Sequence, residues 1–122
     1  MNLVPCDNEL EREFAKFLDQ AEDVKAFSKI PQSFGFSIDY VDGNYNQRSY
    51  HPDFVAVAKD GTNWLLETKG QEGEETKFKD EAAERWCENA TVLTKNQWSY
   101  KKIPQKKFVE LQPDSLSDLR VL

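Results

Sequence analysis

The sequence predicts an α+β domain in α/β/α layers, with a mixed central β-sheet flanked by two helices, on three observations. A helix-period apolar pattern opens the chain, strand-like alternation fills its middle, and a second helical pattern follows a close pair of apolar strands. With 122 residues and 39% apolar content, one compact core needs no disulfide or metal staple, so a single domain over 1–122 is expected.

Each element follows from local chemistry. Asp7 or Asn8 can cap a helix in which Leu10, Phe14, Phe17, Leu18 and Ala21 recur at spacings of three and four, which predicts a helix over 8–23. A strand at 24–30 should end at Pro31, and a second, over 34–41, alternates Phe34, Phe36, Ile38 and Tyr40 with Gly35, Ser37 and Asp39. The stretch 42–49 has turn chemistry throughout and is expected to be a loop. Two strands, 53–58 and 63–69, flank Lys59, Asp60 and Gly61, and 70–75 is expected to be mobile. A helix should then run over 75–89, with Phe78, Ala82 and Trp86 on one stripe. Beyond it, Trp98, Tyr100 and Ile103, then Phe108–Leu111, suggest strands split by Pro104, and the last residues read as a loose tail or a truncation. Strand order is not legible from the sequence.

Composition narrows the function classes. A net charge of −6, with 22 acidic against 16 basic residues, opposes a domain that grips a polyanion through bulk electrostatics. The basic residues are uneven, however: Lys95, Lys101, Lys102, Lys106 and Lys107 gather near the C-terminus, as either a phosphate-facing edge or a solvated surface. The longest uninterrupted apolar run, Phe54 to Ala58, is five residues, too short to cross a bilayer. The N-terminus lacks a basic stretch followed by an apolar one, so a cytoplasmic setting is expected. Cys6 and Cys87 lack metal-ligand spacing and are expected to be free thiols, one of them buried.

The pair of strands around Lys59-Asp60-Gly61 carries the candidate chemistry. Glu67 and Lys69 are two apart on one strand and therefore project from the same face. A two-residue loop would turn Asp53 to the opposite face, whereas a three-residue loop with Gly61 left-handed pairs Ala58 with Thr62 and Asp53 with Glu67. The latter is expected, because two carboxylates so placed offer hard oxygen ligands to Mg²⁺, with Mn²⁺ as a substitute. The Thr68 backbone carbonyl between them is a further candidate ligand. Lys69 would orient or deprotonate a water, or stand as a fixed positive charge beside a phosphate.

His51-Pro52-Asp53-Phe54, with thirteen residues separating Asp53 from Glu67, and then Glu67-Thr68-Lys69-Gly70 resemble the PD-(D/E)XK nuclease signature. The wider set is similar to the C-terminal endonuclease region of type III restriction enzyme Res subunits. It comprises Glu-Arg-Glu-Phe-Ala at 11–15, Val24-Lys25-Ala26-Phe27, Tyr50-His51-Pro52-Asp53-Phe54 and Ala82-Ala83-Glu84-Arg85-Trp86-Cys87, and covers nearly the whole chain. The resemblance implies a restriction-endonuclease-like fold, a metal-dependent endonuclease acting on DNA, and a catalytic set of Asp53, Glu67, Lys69 and Glu11. Members of that fold place an extra acid on the first helix. Glu11 matches, and it shares the apolar stripe of Phe14 and Leu18, where a surface Glu would be out of place. A capping box with Asn8 is the competing role for Glu11.

As partners the resemblance implies a helicase or ATPase and a modification methyltransferase alongside DNA. The chain itself has no Gly-x-x-x-x-Gly-Lys-Ser/Thr phosphate loop, so it reads as an excised or stand-alone nuclease domain without an ATP site. The alternatives are a non-catalytic binding or scaffold module of the same fold, and a repair or RNA-processing nuclease. His51 is expected to hydrogen-bond or to face water, outside the catalytic set. Gln71, Lys77, Lys79 and Arg85 are expected either to meet phosphates or to pair with helical glutamates, and Trp64, Trp86 and Trp98 to pack in the core.

Overall fold

A computed structural model describes residues 9–30, 35–69 and 76–121. Its elements run α1 (Glu9–Gln20), β1 (Val24–Lys29), β2 (Ile38–Val41), β3 (Gln47–Tyr50), β4 (Phe54–Ala58), β5 (Asn63–Lys69), α2 (Thr76–Thr94), β6 (Trp98–Pro104) and α3 (Gln105–Leu111), and end in a 3-10 helix at Leu116–Val121. Four strands form one sheet in the order β1-β4-β5-β6, while β2 and β3 make a separate two-stranded ribbon. β1 and β5 run antiparallel to β4, and β6 runs parallel to β5. The parallel step requires a crossover, which α2 supplies. The mixed α+β architecture, a central sheet flanked by helices, is thus the one expected, and it is consistent with a restriction-endonuclease-like fold.

Side-chain alternation along β4 and β5 sends apolar groups to both faces. Phe54, Ala56 and Leu66 pack with Phe14 and Leu18 of α1, whereas Leu65 packs with Ala82, Ala83 and Cys87 of α2. Phe14 is fully buried and meets Phe54 edge-on at 5.3 Å between ring centroids. Burial of such a ring contributes roughly 1.5–3 kcal/mol, and the edge contact adds about 1 kcal/mol. The three tryptophans are partly buried against these two clusters, and Cys87 is a buried free thiol. Among the described residues, no helix is long and apolar enough to cross a membrane.

Three expectations are corrected. Gln47–Tyr50 is a strand, because β2 offers it an antiparallel partner from Ile38↔Tyr50 to Val41↔Gln47. Its outward residues are polar, so no apolar alternation marks it. The turn between them is organised by Asp42, whose carboxylate is buried and accepts from the Asn44 and Asn46 N–H groups at 2.8 and 2.9 Å and from Arg48 Nε at 3.0 Å. Phe108–Leu111 belongs to a helix: Pro104 ends β6 with φ −68°, and good helix formers follow. The helix lets Phe108 reach Phe14 and Phe17 at 5.6 and 5.7 Å. The expected loose tail is instead the 3-10 helix, with Leu116 and Leu119 in the core and Asp23 accepting from the Leu116 and Ser117 N–H groups.

The second helix extends five residues beyond the expected 89, to Thr94. The strand expected over 34–41 starts only at Ile38, because 35–37 lie outside the ladder and the Phe36 carbonyl bonds to His51 instead; Phe34 itself, the stop at Pro31, the mobile 70–75 stretch, and Cys6, Asp7 and Asn8 lie outside the described residues.

Candidate active site

The turn between β4 and β5 sets the register of everything at the hairpin's other end. Ala58 N–H donates to the Thr62 carbonyl and Gly61 N–H to the Ala58 carbonyl, both at 2.9 Å. Gly61 has φ +94°, so Lys59-Asp60-Gly61 is a three-residue turn with glycine in the left-handed region. The paired positions run from Val57↔Asn63 to Phe54↔Leu66, and one further step sets Asp53 opposite Glu67.

Asp53 stands one residue ahead of β4, and its carboxylate is drawn to the end of β5. Oδ2 accepts from the Thr68 N–H at 3.0 Å and from the Thr68 hydroxyl at 2.9 Å. Burial pushes its pKa up from 3.8 to about 6; the two Thr68 hydrogen bonds oppose that rise, and the negative charges of Glu67 and Glu11 add to it. Asp53 therefore lies within electrostatic reach of both glutamates. Among the described residues nothing donates to Oδ1.

Pro52 bears on the Thr68 carbonyl. Ala58 N–H donates across the ladder to Thr62, and in an antiparallel pair such hydrogen-bonding positions recur every second residue, bringing the pattern to 52 and 68. Proline has no N–H and so cannot donate to the Thr68 carbonyl, while the Thr68 N–H donates to the Asp53 carboxylate.

Glu67 is 7% exposed. Tyr100 of β6 donates its hydroxyl hydrogen bond to Oε2 at 3.1 Å, and Lys79 of α2 approaches Oε1 at 3.5 Å. Lys79 also lies 5.0 Å from the centroid of the Tyr50 ring. Tyr100 contacts Asp80 Oδ1 at 2.9 Å, and Lys102 pairs with Asp80 Oδ2 at 2.8 Å. Burial, then the charges of Glu67 and Asp80, push the Tyr100 phenol far above its ordinary value, so it stays a donor. Lys69 is half-buried, beside Pro104 in register, and makes no ion pair among the described residues. Glu11 is 5% exposed on the inward stripe of α1 and pairs with Lys29 of β1.

The structure thus brings Asp53 into the fields of Glu67 and Glu11, but it gathers no group of three or more His, Cys, Asp or Glu side chains able to hold a metal among the described residues. Lys29, Lys79, Asp80, Tyr100 and Lys102 were not legible as neighbours of the acids. Lys79 pairs with a strand glutamate, not a helical one, and Lys102 leaves the C-terminal basic set to pair with Asp80. The signal that could have found Tyr100 and Lys102 is their spacing of two on one strand, but using it requires knowing that β6 lies beside β5. Of the two roles expected for His51, the structure has the hydrogen bond: Nδ1 carries the hydrogen and donates to the Phe36 carbonyl at 2.8 Å.

The raised pKa of Asp53 makes a prediction for the metal-free domain. Unfolded, the group titrates near 3.8 and folded near 6, so the folded state holds the extra proton between these values. Its contribution is most favourable at low pH, declines as pH rises through that window, and is least favourable above about pH 6, by on the order of 3 kcal/mol. Asp53→Asn keeps an acceptor for Thr68 and removes the titration. Urea midpoints of the parent should fall relative to those of Asp53→Asn between about pH 4 and pH 7, and parallel profiles would mean that Asp53 is ordinarily solvated.

Compared with known proteins, the chain matches the family model described as an endonuclease domain over residues 1–110. No curated protein and no solved structure matches it.

Proposed function

Because the chain belongs to the endonuclease-domain family, a family of nucleases, we propose that it is a metal-dependent endonuclease hydrolysing DNA phosphodiester bonds, akin to the cleavage domain of type III restriction enzymes. The observation that carries the proposal is Asp53: a carboxylate oriented by Thr68, opposite Glu67 in register, and pushed to about 6 in a place where its charge is disfavoured. A divalent cation would relieve that cost.

The donor set fits Mg²⁺ or Mn²⁺. Asp53, Glu67 and the Thr68 carbonyl are hard oxygen donors, and Pro52 has no N–H to offer that carbonyl. When bound, such an ion supplies Lewis acidity to the phosphate. Thr68 fixes the Asp53 carboxylate, while Tyr100 and Lys79 hold the two oxygens of Glu67. Lys69, on the same strand face as Glu67, is placed to orient a water or to meet negative charge on the phosphate, and Glu11 is the additional acid of the set. DNA is the proposed substrate and the cytoplasm the proposed setting, with helicase or ATPase and methyltransferase subunits as partners. Such partners would supply the affinity that a net charge of −6 does not.

One observation favours a second reading, a binding module without turnover: lysines already sit on both buried glutamates. A supercoiled-plasmid nicking assay separates the two. Endonuclease activity predicts nicked circles with Mg²⁺ or Mn²⁺ and none with a chelator. Cleavage of RNA or single strands in preference to plasmid would redirect the substrate, and no cleavage together with no Mn²⁺ binding would leave the binding module standing.

A further inference from the structure

We propose that Tyr100 is the positioning residue for Glu67: its hydroxyl holds Oε2 in place and passes its single hydrogen bond to Asp80 when that oxygen turns toward a cation. The inference rests on the metal-site reading above and deepens it.

The parallel pairing of β5 with β6 is what assembles this contact. It sets Tyr100 beside Leu65 and Lys102 beside Glu67, all on the face that packs against α2. From α2, the consecutive residues Lys79 and Asp80 reach the same place. Two carboxylates, Glu67 and Asp80, and two ammonium groups, Lys79 and Lys102, are thus gathered around one phenol hydroxyl.

The hydroxyl is over-subscribed. It lies 3.1 Å from Glu67 Oε2 and 2.9 Å from Asp80 Oδ1, but it has one proton, and an ionised carboxylate accepts without donating. It can serve one oxygen at a time, which leaves the other facing a lone pair. A cation on Glu67 resolves the conflict, because Oε2 then has another partner and the proton turns to Asp80. Lys102, 2.8 Å from Asp80 Oδ2, keeps that acceptor anchored. Tyr100 therefore orients Glu67 before an ion arrives and yields afterwards, without touching the reacting atoms.

A merely structural role, tying α2 to the sheet through β6, would change stability and leave ion affinity alone. Mn²⁺ calorimetry on the 122-residue chain therefore decides the matter, with thermal midpoints recorded beside it. Tyr100→Phe is expected to weaken Mn²⁺ binding by about 10- to 100-fold, the range for losing a group that orients a metal ligand. The Mn²⁺ needed for half-maximal nicking should rise by a similar factor, while the rate at saturating Mn²⁺ stays within about threefold. Should Tyr100→Phe fold poorly, Asp80→Ala reports on the same contact. It removes the second acceptor of the Tyr100 hydroxyl and takes a carboxylate away from Lys102, whose positive charge beside Glu67 then opposes the ion more strongly, so Mn²⁺ should again bind more weakly.

If both variants bind Mn²⁺ within about twofold of the parent while Asp53→Asn loses it, the positioning role of Tyr100 is overturned and the metal site stands. If Asp53→Asn binds Mn²⁺ like the parent, the metal-site reading and the role of Tyr100 fall together.

Discussion

Replacing Lys69 with alanine is expected to lower metal-dependent plasmid nicking by about 10²- to 10⁴-fold, the range for removing a positioned proton-transfer or charge-stabilising group. The thermal midpoint should move by no more than about 2 °C, as for a substitution that leaves no buried group unpartnered. The asymmetry between the two readouts follows from where Lys69 sits. It closes β5 on the same face as Glu67, is half-buried, and neutralises no carboxylate among the described residues. Its neighbours Lys79 and Lys102 do the neutralising instead. A lysine kept at a site's margin without an ion pair among the described residues suits a role in chemistry. Undiminished nicking would remove it from the mechanism, and loss of folding would make it structural.

Lys29→Met is expected to destabilise the domain by about 3–5 kcal/mol, the cost of removing one partner from a buried ion pair. That is a large part of the roughly 5–15 kcal/mol that holds a domain of this size. The side chains of Lys29 and Glu11 are 10% and 7% exposed, and Glu11 also lies in the field of Asp53. Without Lys29, the Glu11 charge would remain in the core with a second carboxylate nearby. The double variant Glu11→Gln, Lys29→Met should recover most of the loss, because no buried charge is then left behind. Urea unfolding measures both; a single-variant loss below about 1 kcal/mol would mean that Lys29 does not hold Glu11.

What the sequence disclosed was whatever depends on local period or on turn length. α1 and α2 were legible from stripes such as Leu10, Phe14 and Leu18, and the β4–β5 register from the three-residue turn alone. The inward position of Glu11 was likewise legible, because a charged residue on an apolar stripe stands out. Its partner was not, since Lys29 comes from another element and no spacing connects the two. β3 was hidden because Gln47, Arg48 and Ser49 are exposed and their pairing is specified by β2. α3 was hidden by a short apolar run that reads equally as strand, until the distance from Phe108 to Phe14 decides. The surroundings of Glu67 depend on β6 lying parallel to β5, a tertiary fact, so Tyr100 and Lys102 carried no local mark of their place.

The turn at 59–61 has an unusual standing among the loops of this domain. Surface connections ordinarily absorb insertions and deletions, because they alter little beyond themselves. Here the number of residues in the turn determines, about 17 Å away along the strand, which side of the sheet receives an aspartate. Parity is transmitted down the hairpin undiminished, since each residue can face only one of two ways. A change of a single residue in length at this distant tip bears on the acidic end as directly as a substitution within it, so drift in loop length is constrained where drift in loop sequence is not.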